Sequence, residues 1–587
     1  MEAIEETTFV CKEAFYKMTA GWRSWKVKTV GCLVVGSVIA SSTRSALAQI
    51  TPDNTLGAEN STVTSTEEVD SINGGAIRGA NLFHSFGEFN INAGRTAVFT
   101  NPLGVENILT RVTGANPSNI LGTLGVAGNA NLFLMNPNGI IFGQNARLDI
   151  NGSFVGTTAN TIEFGERGFF SATNPETSSP LLTVNPSALI FNQIRTASIQ
   201  NNSVAPSGLD PSSESIAKGL RVTDGKSLLL VGGDINMDGG GLYAFGGRVE
   251  LGGLTGAGTV GLNGNDNNLS LNFSNNVEKS NVSLSDSAVV DVGAGDGGSI
   301  AVNAVNFKMT GRSILATGIR SGLGFNNSEA GDIDINTTGT INLNESSIFN
   351  QVQPEASGQG GNVNVSANTL KLEGGAQINV NTYSSGRGGT LSVDAFDVQL
   401  VGTRANGQPS GFFVSTSGST GDAGDVLIKT NNLLVKDGAV VDTTTTGSGK
   451  GGNLSVDASD VQLVGESSNG QPSGFFVSTL DSTGDAGDVS IKTNNLLIKD
   501  EAALISASFG AGKAGNLKVD AQDVQLIGGD ISASSFQENS TGDAGDLTIK
   551  TNTLLVKDRA EVSTVTFGAG KAGNLKVDVI GWKFTGI

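Results

Sequence analysis

Apolar and polar residues alternate one by one through much of the second half of the chain. Leu454-Ser455-Val456-Asp457 and Val461-Gln462-Leu463 put every second side chain on an apolar face, the period of a β-strand with one buried side. Helical spacing is absent, and the alternating runs end at Gly, Asn or Asp, which tolerate the positive φ of tight turns. A step of small residue, Gly, Asn/Asp/Ser/Thr and aliphatic punctuates these runs ten times. Its third position falls at Ser299, Asp332, Asn362, Thr390, Asp425, Asn453, Asp488, Asn516, Asp546 and Asn574, with spacings of 28 to 35 residues. From Asp425 onward two kinds of unit alternate, one opening Gly-Asp-Ala-Gly-Asp and the other Gly-Asn-Leu.

A unit of this length holds about three short strands joined by turns. Such units stack as a parallel β-helix, each strand bonded to its counterpart one coil away at about 4.8 Å. The expected fold is therefore all-β, a single-stranded right-handed parallel β-helix. Insertions in a solenoid belong in turns, and the two 35-residue spacings both carry Asn-Gly-Gln-Pro-Ser-Gly, at 406–411 and 469–474. The recurring Asn and Asp are read as a hydrogen-bonding ladder inside a turn. The functional alternative is calcium at the paired carboxylates Asp422/Asp425, Asp485/Asp488 and Asp543/Asp546, although calcium β-rolls repeat every nine residues and these do not.

Composition supports a stacked architecture over a compact globule, with 82 Gly and 6% aromatics in 587 residues. The net charge of −19 repels phosphates and argues against a nucleic-acid partner. The first 48 residues read as a leader: Arg23, Lys26 and Lys28, an apolar run from Val30 to Ala40, then Ala46-Leu47-Ala48 before Gln49. Ala46 and Ala48 suit signal peptidase, with cleavage ahead of Gln49. The apolar run is shorter than the roughly 20 residues of a spanning helix, and no transmembrane segment is expected. Cys11 and Cys32 both lie in this leader, so the remaining chain has no disulfide or cysteine metal ligand.

Residues 49–165 differ from the repeats. They contain Ile77-Arg78-Gly79-Ala80-Asn81-Leu82-Phe83-His84-Ser85-Phe86, and then Asn131-Leu132-Phe133-Leu134-Met135-Asn136-Pro137-Asn138-Gly139-Ile140-Ile141-Phe142-Gly143. This segment resembles the N-terminal secretion domain, or haemagglutination activity domain, of filamentous haemagglutinin-like two-partner secretion exoproteins. Asn136, Pro137, Asn138, Gly139 and Ile140 match that family's Asn-Pro-Asn-Gly-Ile signature in full. Its other element, Asn-Pro-Asn-Leu, is met only by Asn101-Pro102-Leu103-Gly104. Motifs such as Val231-Gly232-Gly233-Asp234-Ile235 extend the resemblance through roughly the first 270 residues.

The resemblance implies an N-terminal secretion domain that caps the helix. It also implies Sec export with signal peptidase cleavage, then recognition of the unfolded domain by the periplasmic polypeptide-transport domains of an outer-membrane β-barrel transporter. It implies a secreted or cell-surface adhesin-like protein, with host-cell, neighbouring-cell or glycan ligands. The expected organisation is a signal peptide at 1–48, the secretion domain at 49–165, a β-helix continuation at 166–290, repeats at 291–578 and an irregular end at 579–587. In that end, Val579-Ile580-Gly581-Trp582-Lys583-Phe584 replaces the repeat sequence, suggesting a truncated longer exoprotein.

No catalytic residue, cofactor or metal is expected. His84 is the one histidine, which leaves no room for a multi-histidine metal site and a single choice of general base. The alternatives are a β-helix polysaccharide lyase or hydrolase working with carboxylates, or the stalk of a contact-dependent toxin. The acidic residues recur at equivalent coil positions instead of forming one cluster. Beyond the leader, Tyr243, Tyr383 and Trp582 are the only Tyr and Trp available to stack on sugars.

Overall fold

The computed structural model describes residues 49–264, 268–274, 276–418, 420–536 and 540–582. The expected signal peptide at 1–48, with Ala46 and Ala48, lies outside the described residues, as do 583–587. Among the described residues there is no α-helix, only strands and one short 3-10 turn at Gly57–Glu59.

A repeat coil supplies three strands, or two where the first and second run on as a single strand of 11 residues, as in Val489–Lys499 and Leu517–Ile527. In one three-stranded coil these are Leu454–Asp457, Asp460–Val464 and Gly474–Leu480, after which the chain turns into Val489–Lys499 of the next. Every strand pairs in parallel with its counterpart one coil away. On the first face Ile300, Ile333, Val363, Leu391, Val426, Leu454, Val489, Leu517, Leu547 and Leu575 form one column. That column lies one residue after the ten Gly-Asn/Gly-Asp marks, so the coils stack in step with the sequence repeat. The protein is thus a parallel β-helix. Its interior is aliphatic: Leu454, Val456, Val461, Leu463, Phe475 and Val477 are all buried, each worth roughly 1.5–3 kcal/mol relative to exposure.

The first corner explains much of the glycine. A Cβ on Gly452, Gly487, Gly515 or Gly545 would lie 1.7–2.1 Å from the carbonyl oxygen of the glycine one coil earlier. Consecutive coils approach too closely there for any side chain. Beside this column runs the Asn/Asp ladder. Asp425 Oδ1 accepts from the Asn453 amide (2.9 Å) and Nδ2 (3.0 Å), Asn453 Oδ1 accepts from the Asp488 amide (2.9 Å), and Asp488 Oδ1 accepts from the Asn516 amide (2.7 Å). The other carboxylate of each Gly-Asp-Ala-Gly-Asp accepts a lysine amide from the next coil, Asp422 from Lys450 (2.8 Å) and Asp485 from Lys513 (2.9 Å). These carboxylates are engaged within the fold, and no group of three or more His, Cys, Asp or Glu is set to hold a metal among the described residues. The two Asn-Gly-Gln-Pro-Ser-Gly inserts form small hairpins, closed by bridges Thr403–Pro409 and Glu466–Pro472, at the turn between the second and third strands. At the C-terminal end Leu575–Trp582 pairs along Leu547–Lys557, carrying strand structure through Val579, Gly581 and Trp582.

The helix begins before the repeats. Asn81–Phe89, Asn107–Val112, Asn131–Met135, Phe154–Thr157, Ser227–Gly232 and Arg248–Gly253 stack in parallel beneath Ser299–Ala304. The free edge of the first is covered by antiparallel partners, Ile50–Pro52 and Ala76–Arg78, and Ser61–Ser65 covers Val69–Gly74. An uncovered edge would present unpaired backbone groups to another chain; antiparallel capping removes that hazard.

Candidate secretion site

The early strands read as unbroken apolar runs, and all five residues of Asn131–Met135 are buried. A strand of this kind has both faces covered. Inward side chains join the helix core, while Phe83, Leu109, Phe133, Met135, Val155, Leu229 and Val231 point to a second core outside it. The cover is an antiparallel sheet formed by two excursions of the chain. Thr161–Glu163, Phe169–Ser171 and Ala188–Phe191 come from the first, Gly258–Asn263 and Ser270–Phe273 from the second. Between them the chain returns to the helix at Ile199–Asn201, which pairs with Ile140–Phe142 and Ile235–Asp238.

A buried polar network ties the N-terminal strand to this module. Asp53 accepts from Thr55 Oγ1 (2.6 Å), Ser85 Oγ (2.8 Å) and Thr113 Oγ1 (2.6 Å). Burial pushes its carboxyl up, but the bonds from Thr113, Thr55 and Ser85 outweigh that and hold it below the usual aspartate range. Arg111, 1% exposed, reaches Ser85 Oγ (2.9 Å), Thr55 Oγ1 (2.8 Å) and the carbonyls of Ser171 (2.9 Å) and Glu176 (2.8 Å). Its guanidinium lies 4.5 Å from the Phe170 ring centroid. Burial lowers its pKa to about 10, the Asp53 charge opposing, so it stays cationic at neutral pH. One side chain thus joins the first strand, the helix and the outer sheet.

His84 lies beside this network and is fully buried. Its Nδ1 is 2.9 Å from Ser61 Oγ, its Nε2 has no partner, and its ring sits 5.1 Å from Phe99. Burial lowers its pKa to about 3, so the ring is neutral. Asp53 bonds Thr55, Ser85 and Thr113 rather than His84, so no Ser-His-Asp relay is assembled.

The signature turn joins Asn131–Met135 to Ile140–Phe142. Asn136, fully buried, donates from Nδ2 to the Asn116 carbonyl (3.0 Å) and Ser118 Oγ (2.9 Å), and its Oδ1 accepts from the Asn138 amide (2.9 Å). Asn138 is exposed and donates from Nδ2 to the Gly114 carbonyl (2.7 Å). Gly139 has φ of +117° with Ser198 O 3.2 Å from where a Cβ would stand. Pro137 and Ile140 are buried. The turn is therefore clamped onto Asn116-Pro117-Ser118 one coil earlier. Sequence reasoning passed over that segment, though its Asn-Pro pair was the visible signal.

Asn101 and Pro102 lie apart, at the end of Thr96–Thr100. Asn101 is oriented so that Nδ2 donates to Val105 O (3.1 Å) and Oδ1 accepts from the Asn129 and Ala130 amides (3.2 Å each), pinning the turn of the next coil. Pro102 O accepts from the Val105 amide (3.1 Å), and Leu103 beside it is fully exposed. The two Asn-Pro elements thus perform the same kind of task at different corners. Gln49, expected to start the cleaved chain, immediately precedes the first strand.

Residues 48–302 match the family model of the TPS secretion domain. Those residues, less than half of the chain, thus carry a TPS secretion domain. Among solved structures it is similar to the HMW1 secretion domain from Haemophilus influenzae, at 15% identity and a TM-score of 0.39, covering 90% of this chain and 100% of that one. It is also similar to the filamentous hemagglutinin secretion domain, at 15% identity and a TM-score of 0.25, covering 60% of this chain and 96% of that one. No curated protein matches the chain. The matched segment takes in both the antiparallel cover and the coils up to Ser299–Ala304.

Proposed function

We propose that this protein leaves the cell through an outer-membrane β-barrel transporter and acts outside as an adhesin-like surface protein, without enzymatic activity. The match of residues 48–302 to the secretion domain carries the reading. Residues 1–48 act as the leader for Sec export, with signal peptidase cutting between Ala48 and Gln49. The periplasmic domains of the transporter then take up the unfolded segment that carries Asn136-Pro137-Asn138-Gly139-Ile140 and Asn101-Pro102. Host cells, neighbouring cells or glycans are the ligands of the emerged helix.

Physics favours this route. Coils pair mainly with their neighbours, so folding starts with the first coil to emerge and propagates. With Cys11 and Cys32 confined to the leader, no disulfide obstructs threading. The test uses the purified periplasmic domains of the transporter and the chain held unfolded in urea, then diluted. Binding should occur during the refolding delay, disappear once the chain has folded, and weaken at least tenfold in Asn136→Ala/Asn138→Ala. Equal binding to folded and unfolded chains would count against it.

A further inference from the structure

The strands Pro206–Leu209 and Ile216–Lys218 form an antiparallel hairpin that leaves the helix between Ile199–Asn201 and Leu220–Arg221. Arg221 Nη1 holds its base through the carbonyls of Ser207 (3.2 Å) and Leu209 (2.6 Å). Ala217 packs with Tyr243, Phe245 and Ala294. Asp210 begins the tip and is 5% exposed. It accepts from Ser212 Oγ (2.9 Å), the Glu214 amide (3.1 Å), Ser215 Oγ (2.8 Å) and Arg320 Nη1 (3.2 Å).

Arg320 makes three further contacts. Its Nη2 bonds Asp291, its Nε donates to the Gly293 carbonyl (3.0 Å), and its guanidinium lies 5.2 Å from the Phe245 ring centroid, with Arg221 at 4.8 Å from the same ring. Asp291 lies on the coil before Ile314–Ile319, the strand that Arg320 follows. Arg320 thus ties the Asp210 carboxylate at the hairpin tip to Asp291 on the stack, and it lies beyond residue 302, where the match to the secretion domain ends. Before its coil is in place, Asp210 and Asp291 have no such counter-charge. Once that coil covers them, a carboxylate left there without its cation is strongly disfavoured.

We propose that the hairpin at 206–218 is a folding-order latch: Arg320, delivered by a coil outside the matched secretion domain, closes it onto the stack. The secretion domain then reaches its final form only after the repeat helix has begun to build on it. The geometry alone carries the latch; its timing during export rests on the two-partner reading.

Hydrogen exchange on the purified full chain tests it. Arg320→Met should speed exchange of the hairpin amides, including those of Asp210 and Ser213, more than tenfold, while Ala503–Phe509 keeps wild-type protection. Arg320→Lys, which keeps the charge but lacks the planar fork that reaches both carboxylates while facing Phe245, should fall between. Adding Asp210→Asn and Asp291→Asn to Arg320→Met should recover most of the protection, because the stranded charges are gone. Unchanged hairpin exchange in Arg320→Met, or loss of protection in Ala503–Phe509 as well, would overturn the latch. Secretion is scored separately in cells carrying the transporter, so failure of the wild-type chain to appear outside counts against the export reading alone.

Discussion

At the residue scale, two side chains have consequences that solution measurements can read. The pKa of His84 is lowered to about 3 by burial, against about 6.5 in an unfolded chain. Between those values the unfolded state binds a proton that the folded state refuses, so stability is full above pH 6.5 and falls as pH drops toward 3. At one pKa unit per 1.36 kcal/mol, this removes about 2 kcal/mol by pH 5. His84→Phe should lower stability at pH 7.5, because Ser61 Oγ loses its hydrogen-bond partner Nδ1, yet lose less stability than wild type between pH 7.5 and 5. Urea titrations at both pH values check this; parallel losses in the two proteins would contradict it. Glu501 tests backbone strain. With Asp500 it adopts left-handed φ values of 68° and 56°, conformations that disfavour a Cβ by roughly 1–2 kcal/mol. Glu501→Gly should stabilise the chain by about 1 kcal/mol, read as a higher urea midpoint with unchanged slope.

At the scale of the coil, the two alternating units are complementary in charge. In one column Asp394, Lys429, Asp457, Lys492, Asp520, Lys550 and Asp578 stand in register. At the glycine corner Asp422, Lys450, Asp485 and Lys513 alternate likewise. Omitting one coil would place like charges on adjacent strands at that junction, at about 0.2–1 kcal/mol per pair. The alternation therefore selects the native register even though neighbouring coils have nearly the same interior. The corner itself is sterically strict. Gly487→Ala would set a methyl 2.1 Å from Gly452 O and should destabilise by about 1–3 kcal/mol. Gly465→Ala meets no atom within 4 Å but sits at φ +73°, so it should cost less, about 1 kcal/mol. Thermal or urea unfolding of the two variants should keep that order, and reversal would mean that the corner can open.

At the scale of the whole helix, what the sequence reveals depends on how local the pairing is. The repeat is legible because Ile333, Val363 and Leu391 occupy one structural position about thirty residues apart, so period and register coincide. The Asn-Pro-Asn-Gly turn is legible because its bonds run within Asn136 to Asn138 and to one earlier coil. The outer antiparallel sheet is not, because Ala188–Phe191 pairs with Gly258–Asn263 across some seventy residues without repetition. Its one local sign is the loss of alternation in Asn131-Leu132-Phe133-Leu134-Met135, where both faces are buried. Arg111 escapes for the same reason: in sequence it is an isolated arginine, whereas its partners Asp53, Ser85 and Phe170 come from three separate segments.

Export of the chain depends on residues 48–302 acting as an export module at the front of stacked coils. The most direct measurement follows the full chain in cells with and without the outer-membrane transporter, comparing culture medium and surface fractions with the periplasm. Intact chain should appear outside only when the transporter is present, with degraded chain in the periplasm without it. Equal amounts of intact chain outside in both strains would contradict that dependence.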